Sequence, residues 1–437
     1  MKKCLLILSI LLFSCTNQNQ SSGKTTTIPP SDANTTESGT AKPLIIGGKQ
    51  YRNFFTEQTF TLDEIDGINN LVLIIDPFDS YGINNLDGIE QLFEAKNIKK
   101  IWISVKNLDR IDLSPLEQFK DIIELDLNLN GSSCVLPNLT SLKSLDSLGI
   151  YDVVFHDFFT LELPPLLRGF ALNGENLHKV DLSAIETLHE LTGLRIEGDI
   201  DKLPDLTKLE KLRSITIEHA RLENFEGIGA PNIRSINISN GKEFDSLAPF
   251  NNLLYLEELE INGGGSKVYK IADMSNLPNL KRLGLLLYRT KIDLSGIENL
   301  SALEKLDTGW TEPFNIEGIG KLEKLQQLYL NLISPQPSVE FLRNMPNLSV
   351  LYLEADGTRN RFPHETRAYQ VLDVSPLSSL KKLQRLDCVN FIIKNISALD
   401  DNDLLSKSPS GISLWKSRLF DETEKSRHYL VFEVEKE

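Results

Sequence analysis

The chain has 437 residues, and its 46 lysine and arginine residues against 61 aspartate and glutamate residues give a formal net charge of −15. Removal of Lys2 and Lys3 with an N-terminal signal would leave a mature chain of −17. Because binding to a nucleic-acid backbone depends on clustered lysine and arginine, this acidic balance argues against a nucleic-acid partner.

The first predicted element is a signal at the N-terminus, where the two lysines precede a mostly apolar run from Leu5 to Phe13. That layout is typical of secretory signals, and its nine residues are about half of the ~20 that a membrane-spanning helix needs. The run ends at Leu12–Cys15, which resembles the bacterial lipobox, in which the cysteine becomes the new N-terminus and carries acyl chains. We therefore predict a signal peptide over residues 1–14 and lipidation of Cys15. The alternative is an ordinary signal peptide cut nearby, with Cys15 incidental.

Residues 15–43 are predicted to be a tether. The stretch Thr16–Pro43 consists almost entirely of Thr, Ser, Asn, Gln, Gly and Pro, which cannot bury a core and should be disordered. A flexible chain of its 28 residues has a reach of about 30 Å, enough to hold a domain clear of a membrane. Residues 44–67 follow as a predicted N-terminal cap.

A repeated hexamer, Leu-x-x-Leu-x-Leu with Ile, Phe or a small residue sometimes substituting, dominates the rest of the chain. Its copies begin at residues 68, 98, 122, 145, 167, 191, 212, 233, 256, 280, 303, 325, 348 and 383. A weaker fifteenth unit holds Ile412 and Leu414. Each hexamer ends in a short alternating strand with two apolar residues on one side, and such a strand can bury that side only by stacking on its neighbours. The sequence therefore predicts a parallel sheet with one strand per repeat.

Before many strands the apolar residues fall at every third position, as in Ile316-Ile319-Leu322-Leu325-Leu328. This period fits 3-10 turns better than an α-helix. Several of these segments open with Asp-Leu-Ser or a near copy, and serine is a common helix N-cap. The serines predicted to cap the turns are Ser114, Ser183, Ser275, Ser295 and Ser375.

On these motifs the chain resembles bacterial leucine-rich repeat proteins, with a unit length similar to the internalin-like branch. The resemblance covers about residues 65–400 and implies an α/β solenoid of about 14–15 repeats: a leucine-rich repeat horseshoe with a parallel β-sheet on the concave side and 3-10 or short helical turns on the convex side. The asparagine that the family usually places after the strand is found in this slot only at Asn130. We therefore expect the turns after the strands to vary from repeat to repeat.

The repeats are assigned to residues 68–403, and two intervals break their period. One is the step from 68 to 98; the other is the step from 348 to 383, which contains a long insert at about 354–371. The insert gathers Arg359, Arg361, His364 and Arg367 in an otherwise acidic chain. Insertions in solenoids often serve binding, while the alternative is a solvated loop. Residues 404–437 are predicted to be a C-terminal cap.

Motifs for catalysis or cofactor binding are not found. The segment Gly263–Lys267 lacks the spacing of a phosphate-binding loop, and the six histidines are scattered without metal-site partners. Cys388 occupies a strand position that elsewhere holds a core leucine, and Cys134 lies eleven rungs earlier, too far for a disulfide. About 34 residues follow Asp403, which leaves little room for an appended enzyme. We expect no enzyme, no cofactor, no metal site and no small-molecule substrate.

The remaining candidate for a functional site is the surface of the predicted sheet. Strand alternation turns the residues between and after the strand leucines toward the concave face. Tyr329 and Tyr352 fall on adjacent rungs there, and clustered exposed aromatic residues are typical of protein interfaces. The alternative is that the two rings stack to stabilise neighbouring strands. The candidate partner-binding residues are Trp102, Tyr151, Tyr329, Tyr352, Arg359, Arg361 and Arg367.

These features predict a non-catalytic, lipid-anchored protein of the bacterial envelope that lies at the outer membrane or cell surface and binds a protein through its concave sheet. That the partner is a protein is implied mainly by the resemblance to leucine-rich repeat proteins. The alternative from another class is a periplasm-facing envelope scaffold or assembly protein with no host or extracellular ligand.

Overall fold

The computed structural model describes residues 42, 44–50, 68–76, 78, 83, 85–93, 95–332, 337–355, 370–402, 412–413 and 418–419. The predicted signal peptide, Cys15 and nearly all of the predicted tether lie outside the described residues. So do Arg359, Arg361 and Arg367, and most of the two predicted caps. Within the described residues, no helix has the length and apolar character needed to cross a membrane.

The described chain begins with a short antiparallel hairpin, β1 (Ile45–Ile46) and β2 (Lys49–Gln50). Leu44 and Ile46 are fully buried and belong to the same apolar cluster as the repeats. The Gln91 side chain donates a hydrogen bond to the carbonyl of Ile45 at 2.7 Å. The hairpin therefore packs against the first coil and is fastened to it by a polar contact.

The main sheet has 15 described strands, neighbouring strands being parallel. In sheet order they are β3 (Asn70–Ile75), β4 (Lys100–Val105), β6 (Glu124–Asn128), β8 (Ser147–Val154), β10 (Gly169–Glu175), β12 (Gly193–Glu197), β13 (Ser214–Ala220), β14 (Ser235–Asn240), β15 (Glu258–Gly264), β17 (Arg282–Tyr288), β19 (Lys305–Asp307), β21 (Gln327–Leu332), β22 (Val350–Ala355), β24 (Arg385–Val389) and β26 (Ile412–Ser413).

The predicted repeat is confirmed in position as well as in type. Each of the first 14 strands begins two residues after the start of its hexamer, and β26 contains Ile412 of the weaker fifteenth unit. The first strand leucines form one continuous inner column, in which Leu306, Leu328 and Leu351 are in register and fully buried. Alternation places the residues between them on the opposite side of the sheet.

Within the described residues, every helix between main-sheet strands is a 3-10 helix, as the period of three predicts. They are Ile89–Leu92, Ser114–Gln118, Leu139–Ser141, Leu177–Lys179, Ser183–Thr187, Ala248–Phe250, Ile271–Met274, Ile297–Asn299, Ile316–Lys321, Glu340–Leu342, Ser375–Ser379 and Ile396–Leu399. Their apolar residues meet the inner wall of the main sheet in one cluster that runs from Leu44 to Leu399. Cys388 is fully buried in this cluster, and among the described cysteines no disulfide joins it to Cys134.

The predicted serine caps are wrong. At Ser114 and its counterparts the aspartate two residues earlier accepts the serine backbone N–H, as in Asp112 to Ser114 at 2.9 Å. The other serines bonded in this way are Ser183, Ser295 and Ser375. Ser275 instead follows the helix Ile271–Met274. A carboxylate accepts such a bond more strongly than a hydroxyl does, and its charge lowers the cost of the turn, so the aspartate takes the role assigned to the serine.

Short strands form smaller parallel sheets on the turn side, where successive coils come together. They are β5 (Arg110–Asp112) with β7 (Ser133–Val135), β9 (Phe159–Thr160) with β11 (Val180–Asp181), β16 (Val268–Lys270) with β18 (Lys291–Asp293) and β20 (Glu312–Phe314), and β23 (Gln370–Asp373) with β25 (Phe391–Lys394) and β27 (Arg418–Leu419). The turns that follow the main-sheet strands do vary. Asn130 donates a side-chain hydrogen bond to the carbonyl of Val105 at 2.6 Å, as the family's asparagine is expected to do.

Candidate protein-binding face

The sheet face is defined here as the outward side of the main sheet, and it consists of two columns of residues. The first column is Val72, Trp102, Asp126, Gly149, Ala171, Arg195, Thr216, Asn237, Glu260, Gly284, Asp307, Tyr329, Tyr352, Asp387 and Ser413. The second is Ile74, Ser104, Asn128, Tyr151, Asn173, Glu197, Glu218, Ser239, Asn262, Leu286, Asn331, Glu354 and Val389. The two columns hold seven carboxylates and one guanidinium, a formal charge of −6.

The two predicted tyrosines meet on this face. Tyr329 and Tyr352 are in register on β21 and β22, and their rings stack with centroids 6.0 Å apart and an interplanar angle of 28°. Both side chains are half-buried. The Lys305 ammonium lies 5.2 Å from the centroid of the Tyr329 ring, a distance at which a cation is attracted by the ring face. The rings are thus held in one orientation and keep part of their surface open to solvent.

Two further aromatic residues, Tyr288 and Trp310, belong to the two coils that precede this pair in the sheet. Tyr288 ends β17 and is 49% exposed, and Trp310 follows β19 and is 45% exposed. A backbone hydrogen bond from Arg289 to the carbonyl of Trp310, at 3.0 Å, holds these two chain segments side by side. We call Leu286, Tyr288, Trp310, Tyr329 and Tyr352 the aromatic patch.

The sequence did not predict Tyr288 and Trp310 as site residues. Near them the repeat is irregular, because β19 has only three residues and Thr308 fills the position of the second strand leucine. Alternation cannot be followed past such a strand. The signal that could have found them is a large aromatic residue shortly after the hexamer in two successive repeats, because that place lies where the strands end.

Beside the aromatic patch, Asp307 is half-buried, and burial raises the pKa of its carboxyl above the ordinary value. The backbone N–H of Gly309 donates to this carboxylate at 3.1 Å, which acts in the opposite direction. Three rungs further, burial also raises the pKa of Asp387, although Arg385 forms an ion pair with it at 2.6 Å. The patch is therefore bordered by carboxylates that are poorly solvated.

The second column is not open to solvent at this end. Asn331, Glu354 and Val389 are only 1%, 7% and 2% exposed. The Asn331 side chain turns back and donates to the carbonyl of Thr311 at 3.0 Å, and the Tyr352 hydroxyl donates to Glu354 at 3.1 Å. Asn331 is thus bonded to the neighbouring coil and Glu354 within its own strand, and both side chains are withdrawn from solvent.

The two candidates in the early repeats differ from each other. Trp102 is 39% exposed and lies in register with Val72, which is equally exposed, so the two form a small apolar surface. Tyr151 instead lies over Gly149 and hydrogen-bonds to the carboxylate of Asp126. Burial, with a contribution from Glu124, raises the pKa of Asp126 to about 6. Tyr151 therefore has an internal hydrogen-bond partner in Asp126, as Tyr352 has in Glu354.

The middle of the sheet face is acidic. Arg195 forms ion pairs with Glu197 at 3.2 Å and with Glu218 at 3.1 Å. A groove of about 470 Å³ begins beside them, and its lining includes Asp152, Glu175 and Glu197 but no lysine or arginine. Ligand atoms of Glu197, Glu218 and His219 lie within 4.8 Å of one another, which is the one group among the described residues whose geometry could hold a metal ion.

Comparison with known proteins identifies the fold. No family model matches the chain. Toll-like receptor 4 of Pongo pygmaeus is 25% identical over 340 residues, which is 71% of this chain but only 38% of that receptor, so the chain spans well under half of that protein. A leucine-rich repeat protein of Leptospira interrogans is similar in structure, with a TM-score of 0.56 and 17% identity, covering 81% of this chain and 80% of that one. A Toll-like receptor 13 chain in complex with ssRNA13 gives a TM-score of 0.54 and 16% identity, covering 82% of this chain and 56% of that one.

Proposed function

The leucine-rich repeat fold presents a long, continuous sheet face. We propose that this protein is a non-catalytic binding protein that holds a protein partner against that face, with the aromatic patch as the anchor. The stacked pair Tyr329 and Tyr352 carries the proposal. Tyrosine and tryptophan dominate the binding energy of protein interfaces because a large, rigid ring buries much apolar surface at little entropic cost.

The surroundings of the aromatic patch support the same proposal. The rings of Tyr329 and Tyr352 are half-buried and stacked, and Lys305 lies over one of them, so little side-chain freedom remains to be lost on binding. Tyr288 and Trp310 add exposed ring surface at the sheet edge. Fixed rings bordered by charged residues form the apolar centre and polar rim that an interface requires.

A nucleic-acid partner is disfavoured by charge. The structural neighbour with ssRNA13 is a complex with RNA, but the sheet face of this chain holds seven carboxylates against one arginine. Phosphate groups would be repelled by such a surface, since binding of a nucleic-acid backbone relies on lysine and arginine. A protein surface is the partner that this composition fits.

The proposed location of the protein is a bacterial envelope. The lipobox-like Leu12–Cys15 and the polar stretch behind it support a chain anchored by lipid in a bacterial envelope and held at a distance from the membrane. A single acyl chain gives only marginal membrane binding, so firm retention requires the several chains that lipoprotein modification supplies.

A site-resolved crosslinking experiment tests the binding proposal. A photoreactive benzoylphenylalanine is placed at Tyr288 or Trp310 in the full chain, and at Tyr255 as a control. Tyr255 is also aromatic and 51% exposed, but it lies before β15 and outside the sheet face. We expect positions 288 and 310 to give the same protein adduct after illumination of intact cells, and position 255 to give none. Adducts from position 255 alone, or from no position, would contradict the proposal.

The location is tested separately. Cys15→Ser should abolish palmitate labelling and move the protein from the detergent phase to the soluble fraction; unchanged labelling would exclude anchoring at this cysteine. Protease added to intact cells should remove an outward-facing binding protein. A periplasm-facing scaffold would survive until the envelope is opened.

A further inference from the structure

A second surface on the sheet face lies away from the aromatic patch. We define the acidic face as Asp152, Glu175, Glu197 and Glu218, at the ends of β8, β10, β12 and β13, together with the groove that the first three of them line. In the order of the main sheet, β13 and β17 are three rungs apart, which is ~14 Å at the usual strand spacing. The two surfaces are therefore separate, but one partner could cover both.

The acidic face carries an excess of negative charge. Asp152, Glu175 and Glu197 line the groove, and Glu218 lies beside it, in register with Glu197. Arg195 forms ion pairs with Glu197 and Glu218, and the His219 ring lies 3.6 Å from Glu197. Asp152 and Glu175 are exposed. With His219 neutral, the surface has a net charge of −3. Such a surface attracts cationic groups, and the attraction is strengthened by the concave shape of the groove.

The floor of the groove is made of backbone, because glycines line it where successive coils come close. A methyl group on Gly174 would overlap the carbonyl of Val153, and one on Gly198 would overlap the carbonyl of Gly174. Gly131 has a φ of 82° and faces open space. The absence of side chains here leaves about 470 Å³ open, which is the size of a site for a few side chains.

The chain itself shows which cation the carboxylates accept. The Arg195 guanidinium lies between Glu197 and Glu218, with nitrogen–oxygen distances of 3.2 and 3.1 Å. A planar guanidinium matches paired carboxylates because its N–H groups point in fixed directions. The remaining carboxylates of Asp152 and Glu175 lie along the same groove and offer the same chemistry to a second guanidinium.

We infer that the acidic face binds an arginine-rich segment of a protein partner. This inference rests on the proposed function in that the ligand is a protein, and it adds the chemistry of the contacting segment and a second contact surface. A divalent metal ion on Glu197, Glu218 and His219 is the competing occupant. The ion would have to displace Arg195 from both carboxylates, so the geometry favours the arginine segment.

The test uses the full chain and a fluorescein-labelled peptide of alternating arginine and serine, with binding followed by fluorescence anisotropy at two salt concentrations. A glutamate–serine peptide of equal length is the control ligand. The test variant is Asp152→Asn with Glu175→Gln. Asparagine tolerates the positive φ of 54° at position 152, and neither change touches the Arg195 ion pairs, so folding should be retained.

We expect saturable binding of the arginine peptide alone, weakened about five-fold or more in the test variant. The matched control, Glu226→Gln with Glu317→Gln, removes the same charge from exposed positions on the turn side and should change affinity less than two-fold. No saturable binding, or equal losses in both variants, would overturn the inference. Displacement of the peptide by micromolar Zn²⁺ from the wild type but not from His219→Ala would also overturn the inference, because the acidic face would then be a metal site.

The result of the peptide-binding test does not depend on the result of the crosslinking test of the proposed function. Tyr329→Ala with Tyr352→Ala should leave the affinity for the arginine peptide unchanged, since both rings lie several rungs away. A failure of the aromatic patch to crosslink a partner would therefore leave the peptide result standing, and a failure of the peptide result would leave the crosslinking result standing.

Discussion

The two halves of the sheet face differ in chemistry although they share one scaffold. From β6 to β13 the outward surface carries small residues, carboxylates and a glycine-lined groove, and its tyrosine, Tyr151, is folded onto the sheet. From β17 to β22 it carries the aromatic patch, in which Tyr329 and Tyr352 lie between two carboxylates, the half-buried Asp307 and the buried Asp387. The inner columns are the same in both halves, because each coil must bury its leucines against the next. The chemical difference between the two halves therefore lies in the outward residues.

The largest expected effect tests whether the two halves really share an inner wall. Leu328→Asp and Ile215→Asp change the same inner column in the two halves, where the side chains are 0% and 1% exposed. Each should lower the free energy of unfolding by several kcal/mol, because the new charge has no buried partner. Urea unfolding followed by circular dichroism measures this. Thr216→Asp, on the outward side beside Ile215, is the matched control and should cost less than about 1 kcal/mol.

If Leu328→Asp or Ile215→Asp proved as harmless as Thr216→Asp, the assignment of inward and outward columns in that half would be contradicted, and the comparison of the two halves would lose its basis.

A smaller effect concerns the carboxylate under Tyr151. Burial raises the pKa of Asp126 from the ordinary 3.8 to about 6 in the folded protein. The folded protein therefore has its full stability below about pH 4, where this carboxyl is protonated, and loses this contribution as the pH rises through 6. Asp126→Asn removes this loss. The variant should gain about 1–2 kcal/mol over the wild type between pH 4 and pH 7.5, after allowance for partial exposure.

Urea unfolding of both proteins at the two pH values gives the difference. Asp307→Asn in the aromatic half should move in the same direction, since burial also raises the pKa of Asp307. A difference between Asp126→Asn and wild type that stays constant with pH would show that the Asp126 carboxyl is not perturbed by its surroundings.

The smallest effect probes the room that Tyr151 needs. Gly149→Ala puts a methyl group where the Tyr151 ring and the Asp126 carboxylate lie, so the ring must move and the unfolding free energy should fall by about 1 kcal/mol. Gly284→Ala is the equivalent change in the aromatic half, where the nearest atom to the methyl group is 3.1 Å away in the flexible Glu260 side chain. It should be close to neutral. Equal melting temperatures for the two variants would mean that Tyr151 does not rest on Gly149.

Most of the fold could be predicted from the sequence because it depends on a periodic burial pattern. A strand buries two alternate leucines and a 3-10 turn buries every third residue, and both periods are visible in segments such as 316–328. The serine caps could not be predicted correctly, because Asp112 and Ser114 can both accept a backbone N–H and only the turn geometry decides between them.

The site was predictable only in part. Alternation placed Tyr329 and Tyr352 together on the outward side, since both belong to regular strands. Trp310 lies beyond the end of the short strand β19, and Tyr288 is the last residue of β17, past the hexamer that defines the repeat. The orientation of Tyr151 depends on the missing side chain of Gly149 in its own strand. Predictions for Arg359, Arg361, Arg367 and Cys15 fall outside the described residues and remain predictions.

The central claim is that the aromatic patch anchors a protein partner. The most direct measurement is the partner's Kd and the melting temperature for Tyr329→Ala with Tyr352→Ala, beside Tyr255→Ala as the control. The account predicts that the double variant weakens binding by about 2 kcal/mol or more while its melting temperature stays nearly unchanged, and that Tyr255→Ala alters neither. A large fall in melting temperature with binding intact would mean that the stacked rings stabilise the sheet, and it would contradict the claim.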